Sequence, residues 1–291
     1  MKKEIKVVKN GICQLTTYDE RWYIKEVIDP KTGLPTSFDF FESSSWISSY
    51  YPKGKRFIQW VGAIGFEEAQ KRMIEAGVKG SKVHLAAEDI MHGIKVPMDA
   101  KYPNKNNEGA MEELSVEEYG AIMSLVEWVD TVNIEVLATE VTAFNDMHHY
   151  AGTVDLICRI DGQIWVIDYK TSPSIWPSHE IQLSSYKYLG FELKKLGIKL
   201  EEWKNRKLAI LQLGYKRNKI KKYKFTEIED QLELFLAVKK TWAKECANIK
   251  PLQKDYPLFV QVEKLAPKPA SKSKVDKKLK EVKKNEIKNQ K

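Results

Sequence analysis

Apolar residues along the chain change from alternating to helical spacing near residue 43. Residues 12–28 alternate irregularly between apolar and polar side chains, which predicts a short hairpin, and DPKTG at 30–34 is a cluster of turn-forming residues. Beyond Ser43 the apolar positions recur every three or four residues, as on one face of a helix. Because Gly77 and Gly80 interrupt this pattern, we expect one helix to end before them and another to begin after them.

The rest of the chain alternates between helical and extended patterns. Residues 94–110 are polar and predict a loop, after which Ser115 and Glu118 have the spacing of a capping box that opens a helix. The elements predicted beyond it are, in order, strands over 134–171, a helix over 178–197, two strands over 207–225 and a helix over 226–247. This order predicts one α/β core with an N-terminal helical region.

The composition excludes several classes of protein. With 43% hydrophobic and 11% aromatic residues it is typical of a soluble globular chain. No run of about 18 apolar residues is present and no apolar segment follows the basic N-terminus, so we expect neither a membrane protein nor an exported one. The cysteines, Cys13, Cys158 and Cys246, are scattered and include no CxxC, which argues against a disulfide framework and against a zinc or iron–sulfur site built from cysteines alone, and favours a cytoplasmic location.

The positive charge is concentrated at the C-terminus. Of the formal net charge of +8, residues 265–291 carry +7, from ten lysines and three acids, which leaves +1 for the preceding 264 residues. Two prolines, the lysine density and the lack of aromatic residues predict a disordered tail. The tail either keeps the protein soluble or makes a weak, salt-sensitive contact with phosphates.

A predicted hairpin at 150–172 brings two acidic residues together. If Asp161 and the following glycine form a two-residue turn, the pairing that it sets places Asp155 opposite Asp168. Lys170 lies on the same face as Asp168, because side chains two residues apart in a strand point the same way. The other face is apolar and is expected to join the core.

Two carboxylates directly opposite each other repel, and the sequence offers three ways to relieve the repulsion. One carboxyl can remain protonated, the lysine can neutralise the pair, or a divalent cation such as Mg²⁺ or Mn²⁺ can bind. A structural ion cluster is therefore one interpretation. The other is a catalytic site, because a metal ion beside a lysine is suited to phosphodiester hydrolysis.

Four ordered motifs give the sequence a family resemblance. They are G-x-V-D at 152–155, D-x-K-T at 168–171, Q-x-x-x-Y at 182–186 and, upstream, G-[ST]-x-x-H at 80–84. The combination resembles the RecB-like branch of the PD-(D/E)XK nuclease superfamily, and within it the phage exonucleases and the mitochondrial genome maintenance exonuclease group. The resemblance covers about residues 42–225. Valine stands where the superfamily name has proline, and the iron–sulfur relatives need four cysteines, so that subtype is excluded.

The resemblance implies a set of metal ligands. Asp155 and Asp168 correspond to the metal-binding carboxylates, which also makes them catalytic residues. His84 corresponds to the histidine that contacts or positions the metal, and the backbone carbonyl of Tyr169 is a further candidate ligand. Glu140 lies where such nucleases often carry an acidic residue. The implied ion is Mg²⁺ or Mn²⁺.

The resemblance also implies roles for residues that do not bind metal. Lys170 corresponds to the catalytic lysine. Gln182 and Tyr186 stand four residues apart, on one face of a helix, and correspond to the motif that orients the active site and the scissile strand. Thr171 completes the D-x-K-T motif and is a candidate DNA contact.

The fold implied by the resemblance is a restriction-endonuclease-like core, with a mixed central sheet flanked by helices. We expect the nuclease domain over 42–250, after a β-rich N-terminal extension over 1–41. A C-terminal extension over 251–264 and the lysine-rich tail over 265–291 would follow.

The function implied is a metal-dependent DNA exonuclease of phage or bacterial recombination, repair or replication. Its expected partners are linear DNA with free ends and a single-strand-binding or recombination protein. Two alternatives remain open from the sequence: a structure-specific endonuclease of the same fold, and a DNA-binding module without catalysis.

Overall fold

The computed structural model describes residues 4–8, 12–16, 20–28, 35–104, 110–217 and 220–246. The turn cluster at 30–34, the predicted C-terminal extension and the predicted tail lie outside the described residues.

The strands are β1 (Glu4–Val8), β2 (Ile12–Thr16), β3 (Arg21–Ile28), β4 (Pro35–Ser43), β5 (Lys101–Asn104), β6 (Ala110–Glu113), β7 (Ile134–Asn145), β8 (Tyr150–Ile160), β9 (Gln163–Lys170), β10 (Lys207–Arg217) and β11 (Ile220–Ile228). The helices are α1 (Ser44–Ser49), α2 (Lys55–Ile64), α3 (Phe66–Met91), α4 (Val116–Asp130), α5 (Pro177–Tyr186), α6 (Leu200–Lys204) and α7 (Leu232–Glu245).

One mixed sheet holds most of the strands, in the order β1-β2-β3-β4-β8-β9-β10-β11, with β7 paired to β8 as well. The first four strands form an antiparallel meander, and β4 joins β8 through a short parallel pairing at Glu42–Tyr150 and Ser43–Ala151. Strand β9 is antiparallel to β8 and parallel to β10. The predicted α/β class with a mixed sheet is confirmed, and the β-rich N-terminus extends that sheet.

Helices flank the sheet and bury its apolar side chains. Helices α3 and α4 pack on a core that includes Leu125, Trp128, Leu156, Ile167 and Tyr169, so the apolar face predicted for the hairpin does join the core. Helix α7 packs elsewhere, with one edge-to-face ring contact from Phe235 to Tyr150 and another from Trp242 to Trp46.

The start of α4 follows the predicted capping box. The hydroxyl of Ser115 accepts from the backbone N–H of Glu118 (3.3 Å), and the Glu118 carboxylate accepts from the backbone N–H of Ser115 (2.6 Å). These reciprocal bonds satisfy two backbone donors that a helix start leaves free.

Two local predictions were wrong. Gly77 and Gly80 do not separate two helices but lie inside the continuous helix α3, because a helix tolerates an interior glycine at a cost of about 1 kcal/mol. The break falls instead at Gly65, whose φ of 87° ends α2. The predicted loop at 94–110 contains β5 and the first residue of β6, and the two strands pair with each other.

The helix predicted over 178–197 is shorter than expected. It ends at Tyr186, and Gly190 then donates its backbone N–H to the carbonyl of Phe144 on β7 (2.8 Å). In the described part of the chain, no helix is both long and apolar enough to cross a membrane.

Candidate functional site

The β8–β9 hairpin has the predicted register. Asp161 and Gly162 both have positive φ, 49° and 83°, as a type I′ turn requires. The strands pair from Ile160–Gln163 as far as Leu156–Ile167, which confirms the predicted alignment. The pairing of β8 with β9 ends at Leu156–Ile167, and β9 continues along β10. Asp155 and Asp168 are therefore the first residues beyond the paired part of the hairpin, one on each strand.

Asp155 is held by hydrogen bonds on both of its carboxylate oxygens. Oδ2 accepts from the backbone N–H of Tyr169 at 2.6 Å, and Oδ1 lies 3.2 Å from Nδ1 of His84. Burial disfavours the charged carboxylate, but the positive charges of His84 and Lys170 outweigh burial and lower the pKa of Asp155. Asp155 is thus ionised, and its contacts with Tyr169 and His84 fix its orientation.

His84 projects from α3 toward this carboxylate. Its Nδ1 is also 4.0 Å from Oε1 of Glu140, and its ring makes an edge-to-face contact with Tyr169, with 5.9 Å between ring centroids. Burial disfavours the imidazolium, yet the attraction of Asp155 and Glu140 dominates and raises the pKa of His84 to about 9. In the absence of a metal ion His84 therefore carries the compensating charge.

Glu140 reaches the site through an irregularity in β7. A register shift between Val136 and Ala138 changes the pairing with β8, and Glu140 itself has a φ of 45°. The pairs on either side, Thr139–Leu156 and Val141–Val154, place Glu140 across from Asp155. One donor atom from each of His84, Glu140 and Asp155 lies within 4.8 Å of the others, so this trio can hold a metal ion.

Asp168 and Lys170 form an ion pair at the end of β9. Asp168 is buried, and burial raises the pKa of its carboxyl to about 6; Lys170 opposes the shift, while the negative charge of Asp155 adds to it. The two predicted carboxylates therefore differ: Asp155 shares the trio with His84 and Glu140, whereas Asp168 engages the lysine. The backbone carbonyl of Tyr169 was a candidate metal ligand; at this residue the structure shows the backbone N–H donating to Asp155.

The glycines of two motifs lie where other parts of the site pack closely. A Cβ on Gly152 would lie 2.5 Å from Cε1 of Tyr186, which is closer than real contacts allow. A Cβ on Gly80 would lie 3.5 Å from Oγ1 of Thr171. The first glycine admits the tyrosine ring against β8, whereas a Cβ at Gly80 would make only an ordinary van der Waals contact.

The predicted pair on α5 is joined by a hydrogen bond. Nε2 of Gln182 donates to the hydroxyl of Tyr186 at 2.6 Å, and the tyrosine ring is buried. Burial, together with the negative charge of Asp168, raises the pKa of Tyr186 well above its usual value. Tyr186 therefore stays protonated beside the carboxylates.

All these groups line one cleft of about 3120 Å³. Its acidic residues include Glu140, Asp155 and Asp168. Five further cations line it and, among the described residues, none of the five has a carboxylate within ion-pair distance: Arg21, Lys53, Lys55, Arg56 and Lys216. The cleft thus combines a cluster of acids with uncompensated positive charge.

Two cleft residues, His179 and Arg21, and one residue beside the cleft, Gln212, were not predicted. His179 lies three positions before Gln182 on α5, a helical spacing that could have revealed it. Gln212 is buried on β10 and donates to the carbonyl of Ser172 at 3.0 Å, which anchors the segment after β9. Arg21 arrives on β3 from far away in the sequence, and no local pattern marks it.

Comparison with known proteins adds little to this geometry. No family model matches the chain, and no curated protein matches it. Among solved structures, the crystal structure of SSO0001 is similar over 46% of this chain and 62% of that chain, with 21% sequence identity and a TM-score of 0.27. The chain therefore spans less than two thirds of the length of that protein.

Proposed function

We propose that this protein is a metal-dependent deoxyribonuclease of the RecB-like PD-(D/E)XK branch, which acts as an exonuclease at DNA ends. The observation that carries the proposal is the convergence of His84, Glu140 and Asp155 next to the Asp168–Lys170 pair. Residues from α3, β7, β8 and β9 meet there, although they are scattered over more than 80 positions of the sequence.

The donor atoms are suited to Mg²⁺ or Mn²⁺. Carboxylate oxygens are the ligands that both ions prefer, and an imidazole nitrogen is also acceptable to transition metals such as Mn²⁺. His84, Glu140 and Asp155 would hold the ion, with Asp168 on the neighbouring strand. When His84 becomes a ligand it releases the proton that it shares with Asp155.

The roles of the residues follow from their positions. A divalent ion bound at the trio would supply Lewis-acid activation of the phosphate and of a water molecule. Lys170 offers an ammonium that stabilises the negative charge on the phosphate as the bond breaks, and Asp168 fixes the position of that ammonium. Gln182 keeps the hydroxyl of Tyr186 directed, because the two are hydrogen-bonded.

The charge distribution of the cleft favours DNA as substrate. The cations Arg21, Lys53, Lys55, Arg56 and Lys216 can attract the phosphate backbone, which carries one charge per nucleotide of each strand. The acidic cluster would repel that backbone unless a divalent ion neutralised it. A linear DNA with free ends is the expected partner, with a single-strand-binding or recombination protein delivering it.

Incubation with labelled DNA tests the proposal. End-labelled linear single-stranded, linear duplex and closed circular DNA are each mixed with the protein and Mg²⁺, Mn²⁺ or EDTA. We expect only linear DNA to be degraded, with all activity lost in EDTA and in Asp155→Asn, Asp168→Ala or Lys170→Ala. Asp161→Asn is the matched control, because it removes a carboxylate from the turn of the same hairpin, and asparagine tolerates positive φ.

The same experiment separates the alternatives. Cutting of closed circles at the rate of linear DNA would identify an endonuclease. Binding to DNA without metal-dependent cleavage of any DNA would identify a module without catalysis. Activity that survives Lys170→Ala would contradict the role of the lysine.

A further inference from the structure

A histidine outside the four motifs faces the cleft from α5. His179, Gln182 and Tyr186 are spaced by three and four residues, which places them on one face of the helix, and all three line the cleft. His179 is half-buried. His179 therefore precedes Gln182 by about one helical turn and lies nearer the start of α5.

The start of α5 fixes the orientation of the His179 ring. Nδ1 accepts a long hydrogen bond from the backbone N–H of Trp176, at 3.4 Å. Burial, together with the positive charges of Lys170 and Lys53, lowers the pKa of His179 to about 3. The ring is thus neutral, and because Nδ1 accepts, Nε2 carries the hydrogen and is a donor.

Lys53 is a second nitrogen donor that lines the cleft, and its charge acts on His179. It precedes α2, and its ammonium lies 5.8 Å from the centre of the Phe57 ring. Although much of the side chain is exposed, the surrounding protein desolvates the ammonium and lowers its pKa. Among the described residues no carboxylate forms an ion pair with Lys53. A partly desolvated cation without a counter-ion is a cost that a bound anion would remove.

We propose that Lys53 and His179, beside Lys170, form a subsite for a phosphodiester group of the DNA strand, next to the phosphate that is cleaved. The subsite rests on the proposed function and names the part of the substrate that this part of the cleft holds. One ammonium group and one neutral N–H donor suit a singly charged phosphodiester, which accepts hydrogen bonds through its two non-bridging oxygens. Glu140 and Asp155 lie at His84 instead, and Asp168 pairs with Lys170.

The subsite is tested by neutralising one phosphate of the ligand at a time. Binding of the full-length protein to single-stranded oligonucleotides is measured with Ca²⁺ in place of Mg²⁺, and each oligonucleotide carries one methylphosphonate, at successive linkages. Parallel oligonucleotides carry a terminal phosphate or a terminal hydroxyl at each end. The variants are His179→Ala and Lys53→Ala, with His148→Ala and Lys240→Ala as controls, since neither control residue lines the cleft.

At one internal linkage, replacing the phosphodiester by a neutral methylphosphonate is expected to weaken binding about tenfold. This matches the loss of a hydrogen bond to a charged group. In His179→Ala and in Lys53→Ala neutralising the same linkage costs less affinity than in the wild type, because one of its two partners is gone, whereas both controls keep the wild-type pattern. Lys53→Ala also reduces the slope of log affinity against log salt by about 0.7, as expected for one phosphate contact on a single strand.

Three results would overturn the subsite: no linkage coupled to either residue, coupling only to a terminal phosphate, or no measurable binding of any oligonucleotide. These outcomes are independent of catalysis. If one linkage is coupled to His179 or Lys53 but the protein cleaves no DNA with Mg²⁺ or Mn²⁺, the subsite stands and the nuclease proposal is rejected. If the protein cleaves DNA but no linkage is coupled to either residue, the nuclease proposal stands and the subsite is rejected.

Discussion

Gly152 shows how a single residue determines whether the site can form. Its missing side chain leaves room for the ring of Tyr186, which a Cβ would approach to 2.5 Å. Because the tyrosine is buried and hydrogen-bonded to Gln182, the ring has little freedom to move away. We expect Gly152→Ala to lower the free energy of unfolding by about 1–3 kcal/mol, as for other overpacked core positions, and to reduce the proposed nuclease activity.

Gly77→Ala is the matched control for this substitution. Gly77 lies on an exposed part of α3 with no atom within 4 Å of the added Cβ, so alanine should stabilise the protein by about 0.5–1 kcal/mol. Urea unfolding of both variants measures the two effects. If Gly152→Ala is as stable as the wild type, the close packing is not required.

His149 makes a pH-dependent contribution to stability away from the cleft. Its ring stacks on Phe41, and its two nitrogens lie 3.2 Å from Glu42 and 3.4 Å from Asp39. The hydrogen bond and charge of Glu42 raise the pKa of His149 against the opposing effect of burial. A histidine with a raised pKa stabilises the folded state below its unfolded pKa of about 6.5, and this stabilisation is lost as the pH rises through the folded value.

His149→Gln should therefore cost more stability at pH 6 than at pH 9. Because about half of the ring is exposed, the pH-dependent part is expected to stay below about 1 kcal/mol. Chemical unfolding of the wild type and of His149→Gln at both pH values gives the difference, in which titration of the other histidines cancels. An equal cost at both pH values would show that the packing of the ring alone matters.

Two ion pairs between α3 and the first turn of α4 provide a comparison between buried and exposed contacts. Lys82 and Glu118 lie 3.0 Å apart, and both side chains are almost fully buried. Lys79 and Glu117 lie 3.7 Å apart, and more than half of each side chain is exposed. Since Lys82 is two residues from His84, the buried pair also fixes the part of α3 that carries the histidine.

Lys82→Met is expected to lower the free energy of unfolding by about 3 kcal/mol or more, because it leaves the Glu118 carboxylate buried without its cation. Lys82→Met combined with Glu118→Gln should recover part of the loss, since glutamine can still accept from the backbone N–H of Ser115. Lys79→Met, the exposed counterpart, should change stability by less than about 1 kcal/mol. Denaturant unfolding of the three variants measures this, and similar costs for both single variants would contradict the comparison.

At the level of elements, what could be predicted depended on how local the determining contacts are. The hairpin register follows from Asp161 and Gly162 alone, and the start of α4 follows from two residues three positions apart. The continuity of α3 through two glycines could not be read from the pattern, because tertiary packing outweighs a weak local preference. The bulge that brings Glu140 opposite Asp155 leaves no signature in the sequence either.

At the level of the whole molecule, the N-terminal strands contribute to the cleft. Arg21 on β3 lines it and donates to the hydroxyl of Ser45 at 3.2 Å, and the hydroxyls of Tyr23 and Thr153 lie 3.0 Å apart. These contacts join residues up to 130 positions apart. Spacing along the sequence carries no information about such pairs, which is why the acidic cluster could be predicted and the basic lining from this region could not.

The charges of the cleft also predict how the whole protein responds to metal ions. Three carboxylates, Glu140, Asp155 and Asp168, are gathered around one imidazole and one ammonium, and the chain brings them together only when it is folded. An ion that binds the folded state alone stabilises it by about 2.7 kcal/mol at 100 times its dissociation constant. For a chain of this size, we expect Mg²⁺ or Mn²⁺ to raise Tm by about 5–10 °C.

Differential scanning calorimetry with increasing metal measures this shift, with each variant compared to its own metal-free Tm. Asp155→Asn should lose most of the shift, because it removes one ligand of the trio, and Asp161→Asn should keep it, because the turn lies at the far end of the hairpin. An equal shift in Asp155→Asn would place the metal elsewhere. The measurement needs no DNA, so it tests the metal site separately from cleavage.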